Sequence, residues 1–265
     1  MDEALDVRWF DPSRLNLLIG LTLFILFLLI NLRRALRADG GLYIRTLPAL
    51  QALDEAIGRA TEMGRPVLYL PGLGDMSEVG TLAAVTISSR VARRVADMGC
   101  GLLVPCYDPV VAVLIDSATR EAYTQAGRID SYRSGTVQYV AAAQFAYVAA
   151  VTGLMLRDRP AANVYMGSWY AESLFLAETG NETGAIQIAG CDQVTQLPFF
   201  VCSCDYTLLG EELYAASAYL GREPVQLATI AAQDWAKILA AAVVVAAVIA
   251  TFFGFTDIDK LLKTS

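Results

Sequence analysis

The stretch Arg65-Pro66-Val67-Leu68-Tyr69-Leu70-Pro71-Gly72-Leu73-Gly74-Asp75-Met76-Ser77-Glu78-Val79-Gly80 decides the fold. It reads as a buried strand, Val67–Leu70, a glycine turn, and the start of a long helix. Such a unit opens a parallel α/β sheet and sets the edge at which ligands bind. The predicted helix runs from Ser77, placed to cap it, to Met98, with Gly99 to stop it.

Working outward, strands and helices alternate. Pro48–Met63 is an amphipathic helix carrying Leu50, Leu53, Ile57 and Ala60 on one face. Gly101–Val104 is a second strand. Asp108-Pro109 then caps and opens a helix that runs to Gly127, because proline is best tolerated in a first turn. Asn163–Met166, Ala185–Ala189 and Phe199–Thr207 read as three further strands, with helices over Ala171–Thr179 and Glu211–Leu220. The uncharged run Val137–Leu156 is diluted by Gln138, Gln144 and Thr152, and reads as a helix buried in the domain rather than as a membrane span. The expected fold is α/β, a Rossmann-like parallel sheet of about four or five strands with helices on both faces.

An apolar segment stands at each end. Residues 15–32 and 238–255 are each about eighteen residues long and uncharged, close to the ~20 needed to cross a bilayer core. Arg33, Arg34 and Arg37 follow the first, the reverse of a cleaved signal, so an uncleaved anchor is expected. Ala242, Ala246 and Ala250 recur every four residues in the second, which suits close helix contact. The expected layout is a polar arm over 1–14, a transmembrane helix over 15–32, a soluble domain over 33–237 with its core about 65–221, a transmembrane helix over 238–255 and a tail over 256–265. The excess of Arg and Lys on the domain side places that domain in the cytoplasm, with both termini across the inner membrane.

Composition narrows the chemistry. The net charge of −7 over 265 residues excludes a nucleic-acid binder, which needs a basic face. With no histidine, the Ser-His-Asp triad and imidazole metal ligands are both absent. Cys100, Cys106, Cys191, Cys202 and Cys204 are odd in number and lie in apolar runs, which predicts free thiols.

In a parallel sheet the ligand edge lies beyond the carboxyl ends of the strands. The candidate binding residues there are Gly72, Gly74, Asp75 and Ser77 in the first turn, then Asp108, Ser168, Glu172 and Asp192. The first turn departs from GxGxxG because Ser77 takes the third glycine position and Asp75 would repel a pyrophosphate. Tyr170 replaces the second glycine of a GxSxG elbow around Ser168. The acids each suit a helix N-terminus, so no metal, cofactor or catalytic residue is assigned.

The runs Gly58-Arg59-Ala60-Thr61-Glu62-Met63-Gly64-Arg65-Pro66, Gly184-Ala185-Ile186-Gln187-Ile188-Ala189-Gly190, Gln196-Leu197-Pro198-Phe199-Phe200 and Asp205–Tyr219 resemble a family of uncharacterised prokaryotic membrane-anchored proteins. The likeness covers most of residues 45–224 and implies one continuous domain, with no activity to carry over. Three functions are therefore expected in descending order. The first is a non-catalytic domain that self-assembles or scaffolds a membrane protein complex, with the lipid bilayer and copies of itself or other membrane proteins as partners. The alternative is a binding or sensing domain for a nucleotide or anionic metabolite. A histidine-free enzyme using Tyr107, Tyr170, Cys106 or Cys191 comes last.

Overall fold

In the computed structural model, residues 15–37, 48–221 and 224–252 are described. They divide into two compact units, one containing the first and last helices and the other spanning 44–222. The predicted arm over 1–14 and tail over 256–265 lie outside the described residues, as do the side chains of Ala246 and Ala250.

In the first unit, α1 (Leu15–Arg37) and α9 (Pro224–Phe252) pack against each other. Among the described residues, no helix is long and apolar enough to cross a membrane, which overturns the two flanking transmembrane spans. A crossing takes ~20 consecutive apolar residues. The first half of α9 carries Gln226, Gln233, Asp234 and Lys237.

The larger unit holds the sheet: α2 (Pro48–Met63), β1 (Val67–Leu70), α3 (Val79–Met98), β2 (Leu102–Cys106), α4 (Pro109–Gln125), β3 (Val137–Tyr139), α5 (Gln144–Asp158), β4 (Ala162–Gly167), α6 (Glu172–Glu182), β5 (Ile186–Cys191), α7 (Leu197–Ser203), β6 (Tyr206–Leu209) and α8 (Glu211–Gly221). Its six strands are all parallel, in the order β3-β2-β1-β4-β5-β6. That is the doubly wound order, with the chain reversing direction between β1 and β4.

Alternation in β1 shows how the two layers form. Val67 and Tyr69 face a core built from α2, α3, α4 and α8, while Leu68 and Leu70 face one built from α5, α6 and α7. All four are buried, as befits a strand covered on both faces. Asp108 caps α4 as its sequence predicts, its Oδ1 accepting from the backbone N–H groups of Val110 and Val111 at 2.8 and 2.9 Å. Gly99 closes α3 in the left-handed region, at φ 72°.

Three expectations need correction. The run 137–156 is not one buried helix. Val137–Tyr139 pairs with β2 as a sixth strand, and α5 buries one face through Tyr147, Val148, Val151 and Met155 while Phe145 stays 69% exposed. Residues 199–207 are not one strand, because Pro198 opens the short helix α7 and only Tyr206–Leu209 is extended. Ser77 does not cap α3. Its N–H and hydroxyl both donate to Asp75 Oδ1, and the helix starts two residues later at Val79.

Candidate functional site

Because the strands are parallel, the turns after β1, β2, β4 and β5 leave the same edge of the sheet. The β1 and β4 turns interlock there. Leu73 N–H donates to Ser168 O at 3.0 Å, and both Gly72, at φ 83°, and Gly167, at φ 120°, sit against the other turn's backbone. Glycine is required at both positions, since a Cβ at Gly72 would lie 2.6 Å from Ser168 O and one at Gly167 2.5 Å from Pro71 O.

Two carboxylates gather at this reversal point. Asp192 Oδ2 accepts from Ser168 Oγ at 3.0 Å and from Tyr214 OH at 3.2 Å. Glu78 Oε1 accepts from Tyr170 OH at 3.1 Å. Their other oxygens, Asp192 Oδ1 and Glu78 Oε2, are buried with no hydrogen-bond partner, and so is the hydroxyl of the fully buried Thr81. Glu78 occupies the N-cap of α3, yet its side chain makes no capping bond. Its carboxylate turns toward the Tyr170 phenol instead.

Glycines bring these oxygens in close. A Cβ at Gly74 would lie 2.6 Å from Glu78 Oε2 and closer still to Thr81 Oγ1, while one at Gly80 would lie 2.6 Å from both Asp192 Oδ2 and Ser168 Oγ. In a dinucleotide turn, such a glycine lets the pyrophosphate approach the backbone. Here the protein's own Glu78 carboxylate lies over Gly74 instead.

The electrostatics agree. Burial and the neighbouring carboxylates hold the Tyr170 phenol above its ordinary pKa, and raise Tyr214 to about 12, with Asp192 the nearest charge. Both phenols stay protonated and donate. Among the described residues no ion pair reaches Glu78, Asp192 or Glu172.

The remaining predicted residues separate from this cluster. Asp75 is exposed and spends Oδ1 on Ser77, which lowers its pKa. Asp108 is spent on the α4 cap. Glu172 is fully buried, and its carboxylate accepts from Tyr170 N at 2.7 Å and from the Gln144 amide. No group of three or more Cys, Asp or Glu side chains is placed to hold a metal among the described residues. Sequence reading missed Glu78, Thr81, Gly80 and Tyr214. The available signal was Gly80, a glycine in the first turn of a helix, where it is unfavourable unless another group must come close.

Cys106 and Cys191, beside the strand-end turns, are held as protonated thiols. Burial pushes Cys106 up to about 12 and Cys191 up to about 11, so neither is a thiolate near neutral pH. All five cysteines are free and only Cys202 is exposed. A disulfide exchange reagent at pH 8 should therefore modify one thiol, Cys202, at least tenfold faster than Cys106, Cys191 or Cys204, followed by mass spectrometry; equal labelling of Cys106 would show that the core opens freely.

Fold and edge together define a doubly wound α/β domain with an acidic, phenol-lined cluster at its reversal point. The chain belongs to the family described as "Domain of unknown function (DUF6754)", whose pattern matches residues 5–262. No curated protein and no solved structure matches it.

Proposed function

We propose that the α/β domain binds a small ligand at the β1/β4 reversal point, and that this ligand offers hydrogen-bond donors or positive charge rather than phosphate. The buried, unpartnered acceptors Glu78 Oε2 and Asp192 Oδ1, beside the equally unpartnered Thr81 hydroxyl, carry this reading. Leaving such atoms unpaired costs about 1–3 kcal/mol each, and a donor-bearing ligand would recover that. An amine, a polyhydroxyl compound or a hydrated cation fits. An anionic metabolite meets two carboxylates that carry no ion pair among the described residues.

The test is a thermal-shift screen of the full chain against amines, polyols and divalent cations. A true ligand at one hundred times its Kd should stabilise the protein by about 2.7 kcal/mol, and Asp192→Asn or Glu78→Gln should abolish most of that shift. If no compound raises the midpoint and both amide variants are themselves more stable than the parent, the cluster is only internal strain and the reading fails.

A second reading is self-association, favoured by the surface of the helical unit. Leu21, Leu23 and Leu26 of α1 and Leu239, Val244 and Val248 of α9 are each more than half exposed. Apolar surface of that extent marks an interaction face. Sedimentation velocity of the full chain would decide it, since a monomer at all concentrations is incompatible with self-assembly.

A further inference from the structure

At the amino edge of the sheet, opposite the reversal point, the segments entering β1, β2 and β3 enclose an open cleft of about 860 Å³. That volume falls within the range of small-molecule sites. Three guanidinium groups line it, Arg65, Arg128 and Arg133, against two carboxylates, Asp130 and Asp158. Asp158 is already held by Arg157 through a two-point contact at 2.9 and 3.0 Å. The ion pairs of the described residues use Arg59, Arg94, Arg120 and Arg157, leaving Arg128 and Arg133 with none. In a chain of net charge −7, that is a local concentration of unpaired positive charge.

Helix ends do not account for it. Carbonyl ends of helices attract cations, and α4 ends just before Arg128. Yet the last carbonyls of α4 already accept from the backbone N–H groups of Ala126, Gly127 and Arg128. Arg133 lies a full loop further on. Arg65 uses Nε and Nη2 on the carbonyls of Arg159 and Pro160, at 2.5 and 3.3 Å, which fixes its guanidinium at the cleft wall. Ser131 and Ser134 add hydroxyls on the same loop.

We infer that this cleft is a second binding site, specific for a small multivalent oxyanion such as an organic phosphate or a polycarboxylate. Arginine forks suit oxyanions because two parallel N–H donors meet two oxygens of the ligand. The two edges of the sheet then divide the chemistry, donors being taken at the carboxyl edge and acceptors at the amino edge.

Calorimetric titration of the full chain with inorganic pyrophosphate and with citrate, at low ionic strength and without divalent cations, tests it. Saturable binding is expected for at least one of them, weakening as salt is added. The exposed double variant Arg128→Ala/Arg133→Ala should weaken it about tenfold or more, as expected for the loss of two charge-assisted contacts. Arg128→Lys/Arg133→Lys should recover only part of that, because it restores charge without the fork. Arg59→Ala, which removes an exposed positive charge outside the cleft, should leave it unchanged. Preference for pyrophosphate over citrate would assign the site to phosphates, and the reverse to carboxylates. Absence of binding by both probes, or binding that the double alanine variant leaves intact, overturns the site.

Discussion

Gly167→Ala should destabilise the α/β domain by about 3 kcal/mol or more, with Gly72→Ala close behind. Both residues hold positive φ, 120° and 83°, in regions that cost an L-residue on the order of 1–3 kcal/mol. The clash adds to the strain. At Gly167 the new Cβ would meet Pro71 O at 2.5 Å, and at Gly72 it would meet Ser168 O at 2.6 Å. Both obstacles are backbone, so no rotamer change relieves them. Moving either turn would stretch the Leu73 to Ser168 hydrogen bond and disturb the Leu70↔Tyr165 register between β1 and β4. The control is Gly64→Ala, also at positive φ, 63°, but with nothing within 4 Å of the added Cβ. It should cost about 1–2 kcal/mol, the left-handed backbone penalty alone. Urea unfolding of the three variants reads this directly. If Gly64→Ala were as damaging as Gly167→Ala, the interlocked turns would not be the cause.

The same two glycines show what could be read from the sequence. Gly72, followed by a polar turn and a helix, announced a strand-turn-helix unit, and the parallel sheet followed from the alternation around it. The reversal between β1 and β4 could not be read, because strand order is set by how the crossovers pack and not by local pattern. Val137–Tyr139 was missed for a related reason: it has three residues, only Val137 is even half-buried, and the apolar run continues straight past it. At the site, Ser168 and Asp192 were legible as polar residues just after strands. Their partners Gly80 and Tyr214 lie far off in the chain and meet them only through the fold. Asp75 and Asp108 had the same local signature as Asp192, but their oxygens are taken up by neighbours two or three residues away. Local sequence shows that an acid follows a strand; only the fold shows whether its oxygens are spent.

Gln187→Leu is the second large effect, expected at about 2–4 kcal/mol. Gln187 is the second residue of β5, is 1% exposed and makes three side-chain hydrogen bonds. Its Oε1 accepts from Tyr165 OH at 2.7 Å, and its Nε2 donates to Ala177 O at 2.9 Å and Ser203 O at 2.7 Å. It therefore ties β4, α6 and the end of α7 to one point on the sheet. Leucine has similar bulk but no polar atoms, so it would remove the side-chain donor from the Ala177 and Ser203 carbonyls, each loss at about 1–3 kcal/mol. Tyr165 OH would keep its bond to Leu176 O at 3.1 Å, which limits the damage on that side. Gln187→Glu separates shape from hydrogen bonding. It keeps the acceptor for Tyr165 but loses the donors and places a carboxylate against two carbonyls, so it should be worse than leucine near neutral pH and improve as the pH falls toward 4, when the acid protonates and donates again. The sign follows from burial: a folded-state pKa raised above ~4.3 means the protonated form is favoured in the fold, so stability is gained on acidification and lost as pH rises through that raised value. Denaturant midpoints of the three proteins between pH 5 and 8 measure this. A glutamate variant that matched the parent at pH 8 would mean that water reaches Gln187, and that α6 is not held to the sheet through this residue.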